Sequence, residues 1–202
     1  MCWWKVNIFE VFTNTAMRVL YNIEILLNPS EEEKIALQKI IQVRTLQKND
    51  YFLKEGDVCK TIAFIEKGSV RYYYQLEDKE ICKDFVFENG IIGAFGSFFS
   101  QDPSGYFIKA MEETQIVELN YEDVMHLYEK FPSWQKFGRI IAQEQFIRYE
   151  KREAAFLKDQ PELRFRSLVE EHPKIFKRVP LQFIASYLGI TRETLSRYRN
   201  KG

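Results

Sequence analysis

Between Gln42 and Asn120 the chain is written in short β-prone runs punctuated by turn-forming residues, and nothing else in the sequence narrows the fold as much. The runs are Val43–Leu46, Tyr51–Leu53, Thr61–Glu66, Ser69–Gln75, Glu80–Val86, Ile91–Ile92, Tyr106–Ala110 and Gln115–Leu119. Gly56, Gly68, Gly90, Gly93, Gly96 and Gly105 sit between them or at their ends. Many short strands at near-regular spacing predict a sandwich or barrel of the jelly-roll type. Tyr72, Tyr73 and Tyr74 alternate across one run, so their rings cannot all face one pocket. Core packing and cross-strand pairing account for them, with ligand stacking as the other reading.

Helical patterns flank this region. Residues 1–27, which open with Trp3 and Trp4, read as an extension or short helix packed on the body. Their mixed composition is unlike a secretory signal. After the Asn28-Pro29-Ser30 break, Ser30 and Glu33 form a capping box, and Ile35, Leu37, Ile40 and Ile41 give an apolar stripe for a helix of about 12 residues. Helices resume at Tyr121 and pause at Phe131-Pro132-Ser133. The next helix runs from about Ser133 to Asp159, roughly 40 Å at 1.5 Å per residue. Ile140, Ile147 and Ala154 recur along it every seven residues, beside Trp134, Phe137, Ile141, Phe146 and Phe156. A helix apolar on several faces buries one against its own domain and another elsewhere, and a second copy of itself is the simplest partner. Packing all round within one domain is the alternative. Gln160-Pro161-Glu162 marks a domain boundary, followed by a helix from Glu162 to Glu171 and a break at His172-Pro173.

The 202 residues carry 29 basic and 29 acidic side chains, but the balance is uneven along the chain. Residues 1–130 have a net charge of −7, residues 131–158 of +3 and residues 159–202 of +4. A basic C-terminal part on an acidic body suits a polyanionic partner, while chance clustering of surface charge is the bland reading. Three cysteines, an odd and small number, exclude a disulfide framework and point to a reducing compartment. No apolar run reaches membrane-spanning length.

Leu181 to Tyr198, LQFIASYLGITRETLSRY, carries the most functional information. Leu181–Tyr187 reads as a short helix with Ile184 and Ala185 inward. Gly189 stands where a turn needs positive φ, Thr191 caps a second helix, and Leu195 returns to the core. This predicts a helix-turn-helix, whose second helix enters the major groove. Arg192, Glu193, Ser196 and Arg197 fall on or near one face of that helix, where Arg can read guanine and Glu can accept from cytosine. Thr191, Thr194, Tyr198 and Arg199 are placed to reach phosphates. An ordinary helical hairpin with a solvated charged face is the other reading.

At these residues the sequence resembles the Crp/Fnr superfamily of bacterial transcription regulators. TRETLSR is similar to the family's recognition-helix signature. Lys54-Glu55-Gly56-Asp57 and Ile62-Ala63-Phe64-Ile65-Glu66-Lys67-Gly68-Ser69-Val70-Arg71 are similar to its cyclic-nucleotide-binding jelly roll. The resemblance covers roughly Ser30 to Asn200 and implies an α+β chain: an N-terminal jelly roll within 1–130, a long dimerisation helix at 131–159 and a helix-turn-helix domain at 160–202. It implies double-stranded DNA as partner, a homodimer through Ile140, Ile147 and Ala154, a cytoplasmic location, RNA polymerase as a further contact and a small-molecule effector. A module of this fold that no longer binds DNA is the alternative function.

The chain departs from the family in the effector pocket. Cyclic-nucleotide binders carry a Gly-Glu pair before a short helix, for the ribose, and then an Arg with a small hydroxyl residue for the phosphate. The matching positions here are Gly93, Ala94 and Phe95, then Ser104 and Gly105, which offer neither the carboxylate nor the cation. On the long helix, Tyr149 and Glu150 stand roughly where family members present hydroxyls to the base. The resemblance therefore implies a degenerate pocket. The family's winged hairpin after the recognition helix is also expected to be missing, since the sequence ends at Gly202. Cys2, Cys59 and Cys82 are too few and too dispersed for an iron–sulfur cluster, and His126 and His172 lack ligand spacing. No cofactor, metal site or catalytic constellation is expected.

Overall fold

The computed structural model describes residues 27–172 and 175–200. The expected N-terminal extension with Trp3 and Trp4, Cys2 and Pro173 lie outside the described residues. The described residues divide into two compact units, 27–71 with Phe85–Arg139, and Tyr72–Asp84 with 140–200. The division falls inside the long helix and inside two strands, whereas the sequence places boundaries after residues 130 and 159.

The first unit opens with α1 (Glu31–Ile40). Its capping box forms as the sequence predicts: the Ser30 hydroxyl accepts from the Glu33 backbone N–H at 3.3 Å, and the Glu33 carboxylate accepts from the Ser30 N–H at 2.7 Å. The helix is two residues shorter than the predicted 12 because Ile41 is extended and Gln42 already begins β1. Eight strands follow: β1 (Gln42–Leu46), β2 (Tyr51–Leu53), β3 (Thr61–Lys67), β4 (Val70–Leu76), β5 (Lys79–Val86), β6 (Ile91–Ile92), β7 (Phe107–Ala110) and β8 (Thr114–Asn120). They form two four-stranded sheets, ordered β1-β8-β3-β6 and β2-β7-β4-β5. The β8 strand pairs antiparallel with both β1 and β3, so Ile116, Val117 and Leu119 are buried with Ile62, Ala63 and Ile65. Completely burying such aliphatic side chains contributes about 1.5–3 kcal/mol each before chain entropy is set against it. Between β6 and β7 lies α2 (Phe95–Ser100), the short helix that the resemblance implied. Its Phe98 packs edge-on to Tyr121 with centroids 5.3 Å apart.

The Asn120 side chain caps α3 (Tyr121–Lys130) by accepting from the Asp123 N–H at 2.8 Å. Then α4 (Pro132–Lys158) runs for 27 residues with proline in its first turn. Trp134 and Phe137 anchor its start, edge-to-face at 5.5 Å, with Phe64 of β3 6.2 Å from Phe137. Ser133 hydrogen-bonds Glu33, tying α4 to α1.

The second unit contains the β4–β5 hairpin from Tyr72 to Asp84, the remainder of α4, α5 (Pro161–Glu171), α6 (Ile175–Arg178), α7 (Leu181–Leu188) and α8 (Arg192–Arg199). The α6 turn was not anticipated from the sequence. Its core gathers Leu168, Ile175, Val179, Ile184, Ala185, Leu188 and Leu195, all buried. Phe165 lies 6.0 Å from Phe176 and 5.7 Å from Tyr198. No helix among the described residues is long and apolar enough to cross a membrane.

Candidate functional site

Two separate places gather the predicted residues. The first is the end of the chain. Gly189 closes α7 in the left-handed region, at φ 68°, and its N–H bonds back to Ser186. The positive φ favours glycine, and a β-carbon there would also sit tightly, 3.2 Å from the Phe156 ring. Thr191 caps α8, its hydroxyl accepting from the Thr194 N–H at 3.2 Å. Leu195 is fully buried beneath the turn. With that residue inward, Arg192, Glu193, Ser196 and Arg197 are turned to solvent and line one open groove with Leu181 and Asn200. The 192/196 and 193/197 pairs are each four residues apart, so they stack along one helix face. Thr191 is exposed at the head of the helix, its hydroxyl within hydrogen-bond reach of the Thr194 hydroxyl at 3.2 Å. Hydrogen bonds from its own backbone N–H and from Thr191 hold the Glu193 carboxyl below the usual range, leaving it an ionised acceptor. Four donor or acceptor side chains therefore stand together with none of the described residues over them.

The second place surrounds α2. Gly93 is buried with Ile62 against it, Ala94 is the N-cap of α2 without a capping side chain, and Phe95 opens the helix half-buried. The segment 56–59 brings these residues towards Ser104. The Ala94 N–H donates to the Cys59 sulfur at 3.3 Å, while Gly56 N–H donates to the Ser104 carbonyl at 2.8 Å. Ser97 ties the two sides: its hydroxyl accepts from Cys59 N–H at 2.9 Å and donates to the Asp102 carbonyl. Ser104 is buried, and its hydroxyl both donates to the Tyr106 carbonyl at 2.9 Å and accepts from the Tyr106 N–H at 3.3 Å. Gly105 is exposed. Lys109, whose orientation the sequence left open, is half-buried on β7 with its ammonium 4.8 Å from the Tyr51 ring centre. Burial pushes the Cys59 thiol up, against the pull of its backbone hydrogen bonds. No sequence signal marks the roles of Cys59 and Ser97, since both depend on contacts distant along the chain.

Sequence reasoning also missed a cavity of about 170 Å³ in the second unit, lined among others by Arg148, Arg152, Phe156, Arg164 and Tyr187. The Arg152 and Arg164 guanidiniums lie 4.8 and 4.7 Å from the centre of the Phe156 ring. Both arginines serve carbonyls at the end of α7: Arg152 donates to Tyr187 at 3.2 Å, and Arg164 to Leu188 at 3.0 Å. Phe156 thus belongs to this polar arrangement rather than to a plain apolar stripe. On α4, Ile140 and Ala154 are half-buried and Ile147 is 49% exposed, while Phe146 and Leu157 are exposed at 69% and 79%. Among the described residues no group of three His, Cys, Asp or Glu side chains could hold a metal.

Residues 43–131 match the family model of the cyclic nucleotide-binding domain. Among curated proteins nothing matches the sequence. Among solved structures, FixK2 from Bradyrhizobium japonicum aligns with a TM-score of 0.71 at 14% identity, covering 80% of this chain and 84% of that one. A CooA mutant from Carboxydothermus hydrogenoformans aligns with a TM-score of 0.65 at 20% identity, covering 88% and 82%. The chain shares the fold of these proteins. The c-di-GMP responsive global regulator CLP of Xanthomonas campestris aligns with a TM-score of 0.61 at 16% identity, covering 85% of this chain and 91% of that one.

Proposed function

We propose that this chain is a sequence-specific DNA-binding transcription regulator of the Crp/Fnr type, working as a cytoplasmic homodimer with an effector pocket that does not take cyclic AMP. One observation carries the reading: behind a glycine turn and a threonine cap, α8 turns Arg192, Glu193, Ser196 and Arg197 outward on a single uncovered face. In the major groove, Arg192 and Arg197 would bond guanine O6 and N7, Glu193 would accept from cytosine N4, and Ser196 would bond either edge. Thr191 and the start of α8 would meet phosphate. The jelly roll within 1–130 serves as effector domain, the helix at 131–159 as dimerisation element and residues 160–202 as DNA-binding domain. The two-fold contact runs through Ile140, Ile147 and Ala154, widened by Phe146 and Leu157, whose exposure supports a partner surface. RNA polymerase and an unidentified small-molecule effector complete the expected partners.

The pocket reading rests on Ala94, Ser104 and Gly105. Ala94 has only a methyl group, the Ser104 hydroxyl is bonded to the backbone of Tyr106 as donor and acceptor, and Gly105 has no side chain. A phosphate held there would lack the charge-assisted donor that burial demands. Selection of bound duplexes from random DNA tests the function. Enrichment of a two-fold symmetric site with half-sites about one helical turn apart is expected, and recovery of unenriched sequence would refute it.

A further inference from the structure

Among the described strands β5 is the last in its sheet, beside β4. On α7, Ser186 meets that edge. Its hydroxyl accepts from the Cys82 N–H at 2.8 Å and donates to the Glu80 carbonyl at 3.0 Å. Residues 80 and 82 are two apart, so their backbone groups face the same way, and one hydroxyl answers both. The neighbouring residues of the strand are held by α4. Arg148 pairs with Asp84 at 2.6 Å, and the Lys83 ammonium stands 4.2 Å from the centre of the Tyr149 ring. The triangle closes where Arg152 of α4 donates to the Tyr187 carbonyl, the residue after Ser186.

We infer that Ser186 is a positioning residue for DNA binding: by bridging Glu80 and Cys82 it holds α7, and through the Gly189 turn the reading helix α8, to the β4–β5 hairpin. The inference rests on the DNA-binding reading proposed above. The contact leaves the face of Arg192, Glu193, Ser196 and Arg197 open, so it orients that face without covering it. A helix already held in place binds its groove with less ordering to be done.

Hydrogen exchange and DNA titration on the full chain test this with Ser186→Ala and Ser186→Thr, the latter keeping the hydroxyl. In Ser186→Ala, amide exchange in 80–84 and 189–199 is expected to rise at least tenfold while β3 and β8 stay protected. Affinity for the selected duplex falls three- to tenfold, and Ser186→Thr restores both. Unchanged exchange in these segments, unchanged affinity despite faster exchange, or tighter binding would each overturn the positioning role. If the parent protein shows no DNA preference, the functional reading fails, while exchange still decides whether Ser186 holds α8.

Discussion

In the proposed reading of the pocket, Ala94 and Ser104 stand where a cyclic nucleotide would need a carboxylate and a cation. Losing one buried charge-assisted bond typically costs a few kcal/mol, and two such losses remove most of a micromolar affinity, about −8 kcal/mol. Calorimetry with cyclic AMP and cyclic GMP should therefore give no saturable heat at low micromolar nucleotide. Saturable binding there would mean that another cation serves the phosphate. Three tyrosines, Tyr128 and Tyr187 half-buried and Tyr149 36% exposed, give a separate, alkaline signature. Burial is the first cause that raises Tyr128, Tyr149 and Tyr187 above the ordinary value of 10.0, with Arg152 pulling the other way at Tyr187. Above pH 10 the unfolded chain therefore loses these protons before the folded one does. The folded state then holds more protons, so their contribution, fully present below pH 10, fades as pH rises through the folded values. Ultraviolet titration should show these phenols ionising late in the native protein and together near pH 10 in urea. Simultaneous ionisation in both states would contradict the burial.

Elements were legible where local chemistry and tertiary packing agree. The Ser30 and Thr191 caps, the positive φ of Gly189 and the inward Ile184, Ala185 and Leu195 follow from residue type, and each is in place. All eight strands stand within a residue or so of their predicted runs, because glycines and acidic turns delimit them. What the sequence withheld lies in contacts distant along the chain: Ser97 between Cys59 and Asp102, Ser186 on the β5 edge, and Phe156 beside two arginines rather than in an apolar seam. Periodicity shows which side chains of α4 share a face, and it is silent on what meets that face. The exposed Phe146, Ile147 and Leu157 make the proposed two-fold contact testable at this scale. Ile147→Glu brings like charges together across the dyad and should shift the protein towards monomer in sedimentation, with the circular dichroism of the fold retained. An unchanged dimer would place the interface elsewhere.

At the scale of the whole chain the charge is polarised: residues 1–130 carry a net −7, and the long helix with the C-terminal helices carries the matching +7. The basic C-terminal part favours approach of a polyanion and makes affinity fall with added salt. Non-specific attraction would follow from charge alone, so only discrimination between sequences speaks to the reading face of α8. The decisive measurement is the ratio of dissociation constants for the selected duplex and a scrambled one of equal length, at one fixed salt concentration, for the parent protein and Arg197→Ala. The parent should prefer the selected duplex by about a thousandfold or more, within the range of specific binders. Arg197→Ala should lose about 1–3 kcal/mol on the selected duplex, with its preference relaxed at one base-pair position. Equal affinity of the parent protein for both duplexes would contradict the account.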